Sequence, residues 1–64
     1  LKNYTITKFD GILSQTVEGI EALYDKLFEL VEDELEVIKA VSWSEFASVG
    51  DEYKGDYFDI AIAE

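Results

Sequence analysis

Between Glu18 and Glu36 the chain carries two registers at once, and both have the period of an α-helix. At about 100° per residue, Glu18, Glu21, Asp25, Glu29, Glu32 and Glu36 fall within about 80° of one another. Ile20, Leu23, Tyr24, Leu27 and Val31 fall on the opposite side, as in a helix that buries one face. The spacing predicts one long amphipathic helix from Glu18 to about Asp33. Its acidic side is unusual. A solvated face normally sets lysines four residues after its acids, because such pairs support the helix. Here Glu21 and Asp25, Asp25 and Glu29, Glu29 and Asp33, and Glu32 and Glu36 place like charges at that spacing. At roughly 0.2–0.5 kcal/mol each, the pairs together cost about 1–2 kcal/mol in an isolated helix. A chain of 64 residues has a small core and little stability to spare. The stripe therefore points to a role other than helix stability.

Composition narrows that role. The net charge is −10, with 15 carboxylates against five lysines and no arginine. Such a chain repels nucleic acid and lacks bidentate phosphate recognition, so its expected partners are basic surfaces, above all a basic nucleic-acid-binding protein. Histidine and cysteine are absent, which removes zinc sites, thiolate chemistry, disulfides and His-based triads. Nevertheless 48% of the residues are apolar, which is too hydrophobic for a disordered chain. No stretch approaches the roughly 20 apolar residues of a membrane span, and no secretory leader pattern is present. A cytoplasmic protein is expected, in the host cytoplasm if it is phage-encoded.

Residues 1–64 read as a single acidic domain. Tyr4 to Phe9 is rich in β-formers, and Asp10-Gly11 is a strong hairpin signal before a returning strand from Ile12 to Thr16. Thr16 fits a helix N-cap, with Glu18 in the first turn. Leu35 to Val41 fits either a strand or a continued helix, and its Val and Ile content favours the strand. Ser42-Trp43-Ser44-Glu45 has capping-box spacing and predicts a short helix that Gly50 would end. Asp51 to Asp56 reads as an acidic loop. From Tyr57 to Ala63 the apolar Phe58, Ile60 and Ile62 alternate with outward positions, as in a half-buried antiparallel strand. The expected fold is α+β: an antiparallel sheet with one long amphipathic helix on one face, in the order ββαβ(α)β.

The carboxylate stripe suits imitation of nucleic-acid phosphates. Its six carboxylates span about 27 Å at 1.5 Å per residue, or one charge per ~5 Å. Phosphates rise about 3.4 Å apart along one DNA strand. The plainer reading is a solvated acidic face that keeps the protein soluble. Asp51, Glu52 and Asp56 extend the acidic surface, joined by Asp59. They do not form a calcium loop, because Tyr53 and Gly55 stand at the third and fifth positions of any such pattern. No cofactor and no metal is expected. Tyr53, Tyr57 and Trp43 have the chemistry of interface anchors, although a small core also needs its aromatics, and Trp43 suits the core better. No histidine activates the serines, and a chain this short has no room for a two-carboxylate cleft. No enzymatic activity is expected.

In size, charge and lack of catalytic groups the chain resembles the small acidic DNA-mimic inhibitors of phages and mobile elements, including anti-restriction and anti-CRISPR proteins. The resemblance is one of composition and rests on no motif. It implies a protein that occupies the nucleic-acid groove of a host enzyme or effector and blocks it. The contact residues would be Glu18, Glu21, Asp25, Glu29, Glu32, Asp33, Glu36, Asp51, Glu52, Tyr53 and Asp56. Two other readings compete with it. One is a small acidic interaction or assembly module without mimicry, including a homodimer through the open sheet face, since so small a core often needs a partner. The other is an adaptation to high salt.

Overall fold

The computed structural model describes residues 1–8 and 14–64. Strand β1 (Asn3–Lys8) is followed by β2 (Ser14–Glu18), helices α1 (Ile20–Leu30) and α2 (Glu34–Phe46), and strands β3 (Glu52–Lys54) and β4 (Phe58–Ala63). The expected Asp10-Gly11 turn, with Phe9, Ile12 and Leu13, lies outside the described residues. All strand pairs are antiparallel, in the spatial order β2-β1-β4-β3. The fold is therefore α+β with the order ββααββ, and two helices stand where one long helix was expected.

Alternation places the sheet's core residues in register. Tyr4 lies between Val17 and Ile62, and Ile6 lies opposite Ile60. Tyr4, Ile6, Phe58, Ile60 and Ile62 are all buried on one face. Leu23 and Leu27 of α1, Val31, and Val37 and Ala40 of α2 complete the same cluster. The period-two reading of the last strand holds, with its start at Phe58 rather than Tyr57.

Six local expectations are corrected. Thr16 caps no helix: it lies within β2, and its Oγ1 is 3.0 Å from that of Thr5 across the ladder. The turn into α1 is made at Gly19, whose φ of 85° only glycine adopts without strain. Its amide donates to the Lys2 carbonyl at 2.9 Å, which ties the helix start to the sheet.

The long helix breaks after Leu30. Val31 is extended at φ −119° and ψ 124°, and its amide closes α1 on the Leu27 carbonyl. Asp33 then starts a new helix, its carboxylate accepting from the amides of Leu35 at 3.0 Å and Glu36 at 3.4 Å. The break has a physical logic. It takes Glu29 and Asp33, and Glu32 and Glu36, out of the i,i+4 geometry in which they repel. It also turns Val31 into the core and puts acids at a helix N-terminus, where the dipole favours them.

Leu35 to Val41 is consequently helical, not a strand, and Ser42 lies inside α2 rather than at its cap. The Ser44 hydroxyl is spent on the Val41 carbonyl at 2.7 Å. Gly50 does not end the helix, which stops at Phe46. With φ 96° it occupies the third position of a turn closed by the Asp51 amide on the Ser48 carbonyl at 2.9 Å.

The last correction concerns Asp51 to Asp56, which contains strand β3 rather than only loop. Lys54 holds it to its neighbours, 3.0 Å from Glu52 and 3.6 Å from Asp59 across the ladder. Tyr53 turns inward between them.

Candidate protein-binding surface

Helix α1 is short and two-sided. Leu23 and Leu27 face the sheet, so Glu21, Asp25 and Glu29 point to solvent at i,i+4 steps, about 6 Å per step along the axis. One cation answers them on the helix: Lys26 lies 3.3 Å from Glu29, in an exposed pair that contributes little. Between the acids and the core runs a third stripe, Ile20, Tyr24 and Phe28, each 37–43% exposed. The Tyr24 and Phe28 rings meet tilted, their centroids 4.8 Å apart. Ile20 and Tyr24 were expected in the core. They instead form the wall of a groove between the helices, with Val41 of α2 opposite and Glu21, Asp25 and Glu45 at its rim.

The other predicted contact residues disperse. Glu18 is exposed at the end of β2. Glu32 and Asp33 lie at the interhelical corner and share an open depression with Asp56, Tyr57 and Lys8. Asp33 is occupied as a cap. Glu36 is only 8% exposed and lies 3.7 Å from Lys39, which takes it out of any outward stripe. The stripe of six carboxylates therefore reduces to three on α1, flanked by Glu18 and Glu32.

In the C-terminal region, Asp51 accepts the Ser48 amide at 2.9 Å and Glu52 pairs with Lys54. Tyr53 belongs to an aromatic stack, 5.8 Å from Phe58 and 5.4 Å from Trp43 between centroids. Burial, then the negative charge of Glu36, push its phenol above the ordinary tyrosine range; Lys39 opposes them and Asp56 adds to them. Among the described residues no group of carboxylates is placed to hold a metal ion.

Sequence reasoning passed over Phe28, Leu35, Ile38, Phe46 and Val49, all substantially exposed. The signal for Phe28 was present. It continues the i,i+4 series from Ile20 and Tyr24, on the flank rather than the centre of the buried face. Glu45 joins the rim only because α2 folds back along α1, which local sequence does not announce.

No known protein family, curated protein or solved structure matches the chain. Among the described residues, no helix is long and apolar enough to cross a membrane.

Proposed function

We propose that the protein is a non-enzymatic acidic binding module that docks on a basic surface of another protein. The observation that carries this reading is the outer side of α1. There Glu21, Asp25 and Glu29 stand exposed beside Ile20, Tyr24 and Phe28. Carboxylates alone would serve solubility. Large apolar side chains left exposed among them add desolvation energy to the attraction of a basic partner.

A narrower form of the same reading is phosphate mimicry, in which the partner is a nucleic-acid-binding protein and the module blocks its groove. It is favoured by the regular ~6 Å steps of Glu21, Asp25 and Glu29, which a groove lined with Lys and Arg would meet as it meets a backbone. The shortening of the stripe leaves this form with fewer charges than the sequence promised.

Affinity capture from host lysate tests the general reading, with the parent chain beside a variant carrying Glu21→Lys, Asp25→Lys and Glu29→Lys. Basic proteins retained by the parent should be lost by the variant. Identical captures would place the interface elsewhere. Each captured nucleic-acid binder then tests the narrower form. The module should displace its DNA or RNA competitively and should not itself retard DNA in a mobility assay. A ternary complex of module, partner and nucleic acid would end the mimic form.

A further inference from the structure

The groove between α1 and α2 has an apolar wall and a rim of one sign. Ile20 and Tyr24 face Val41 across a cleft of about 300 Å³, and Glu21, Asp25 and Glu45 surround it. The cleft is at the lower end of ligand-pocket sizes, roughly 300–1,000 Å³, and it is open along its length. Such a shape accepts side chains presented by another chain rather than enclosing a small molecule. Phe28 carries the apolar stripe onward, so that Ile20 to Phe28 extends for about 12 Å, just over two helical turns.

We infer that this groove binds a basic amphipathic helix of the partner. Leucine or aromatic side chains on its apolar face would lie against Tyr24 and Val41, and flanking lysines or arginines would meet Glu21, Asp25 and Glu45. The inference rests on the acidic-module reading and adds to it the partner's secondary structure and its anchor. Three features select that occupant. The rim carries only carboxylates, so charge complementarity requires a cationic segment. The apolar stripe of α1 runs for about 12 Å, long enough to meet the i, i+3, i+4 and i+7 anchors of a helix laid along it. Tyr24 and Phe28 also supply rigid aromatic contact area, the type of side chain that dominates binding energy at interfaces. A second copy of the chain fits poorly, because two such rims would bring like charges together.

The test uses the full chain and two synthetic probes. One is a helix of lysines with leucines at i, i+3, i+4 and i+7; the other is an oligolysine of equal charge. Binding is measured by calorimetry and by amide chemical shifts at about 0.15 M salt. The amphipathic probe should bind with shifts centred on Ile20, Tyr24 and Val41, and oligolysine at least about tenfold more weakly. Tyr24→Ser and Asp25→Lys should each weaken the amphipathic probe by about tenfold or more. Ile20→Ser repeats the first test if Tyr24→Ser loses its helical circular dichroism. Glu34→Lys, which makes the same charge change at the exposed far end of α2 outside the groove, should have little effect.

Equal binding of the two probes would overturn the groove while leaving the acidic module standing. So would a loss from Glu34→Lys as large as that from Asp25→Lys. Absence of binding by either probe would remove the groove, and with it the module reading if lysate capture also fails. Self-association abolished by Tyr24→Ser would assign the groove to a second copy and overturn the proposal.

Discussion

Asp33→Lys has opposite consequences in the two helical arrangements the sequence allows, which makes it the sharpest probe of the fold. In one continuous helix, Asp33 would face Glu29 at i,i+4, and lysine would turn a repulsion into an attraction. In the structure Asp33 is an N-cap whose carboxylate holds the amides of Leu35 and Glu36. Losing the cap costs about 1 kcal/mol. Replacing an anion by a cation at the helix N-terminus removes roughly 0.3–1 kcal/mol of favourable interaction and adds a penalty of similar size. Relief of the chain's general negative charge returns a few tenths. The net expectation is a loss of roughly 2 kcal/mol, or about 8–16 °C in melting temperature at 4–8 °C per kcal/mol for a domain of this size.

Asp25→Lys is the matched control. It converts two like-charge pairs on α1, with Glu21 and Glu29, and should stabilise by about 1 kcal/mol. Asp33→Asn retains a capping oxygen and should lose only the charge contribution, roughly 0.3–1 kcal/mol. Urea titration and thermal melts followed by far-UV circular dichroism measure all three. An Asp33→Lys variant melting at or above the parent would refute the capped break and restore the single helix.

Three further outcomes are expected. A methyl group at Gly55 would stand 2.9 Å from the Tyr53 ring and 3.0 Å from the Phe58 carbonyl, so Gly55→Ala should destabilise by roughly 1–3 kcal/mol in urea unfolding. The raised phenol of Tyr53 means the folded state holds its proton more tightly than the unfolded state does; its contribution is complete below the ordinary tyrosine value and lost as pH rises through the folded value, so stability should fall above about pH 10, and Tyr53→Phe should blunt the fall. Melting temperature should rise between low salt and about 0.5 M as screening relieves the self-repulsion of ten excess negative charges, and a flat profile would mean the acids are already neutralised.

The parts of this fold legible in the sequence are those where a face repeats. Tyr4 and Ile6, then Phe58, Ile60 and Ile62, alternate and are buried together. Leu23 and Leu27 recur at four and occupy the centre of α1's inner face. The helix break was harder to see because neither glycine nor proline marks it. Asp33-Glu34-Leu35-Glu36 nevertheless has the D-x-x-E spacing of a helix start, the same cue that drew attention to Ser42-Trp43-Ser44-Glu45. Tertiary packing decided between them: with the chain turning near Asp33, Val31 and Val37 both lie in the core.

Strand β3 was hidden for a different reason. Glu52 and Lys54 lack β-propensity, and their place is set by pairing with β4 and by Tyr53 entering the stack with Trp43 and Phe58. Of the predicted contact surface, Glu21, Asp25 and Glu29 stay aligned, whereas Glu36 moves into a buried position that the continuous helix did not foresee.

What stands beside the charges on the finished fold separates the competing readings of its acidity. An adaptation to high salt would keep large apolar groups away from its carboxylates. On the sheet face opposite the helices, Glu18, Glu52, Asp59 and Lys54 stand among the uncharged Thr5, Thr7, Ser14, Thr16, Ala61 and Ala63. The proportion of three carboxylates to one lysine is the same on α1, but there an exposed aromatic pair stands beside them. Helix propensity does not ask for those acids, since two of their pairings repel, and solubility does not ask for Tyr24 and Phe28. A cationic partner with an apolar face makes use of both. The surface that costs this small domain stability is therefore the one on which its binding is proposed.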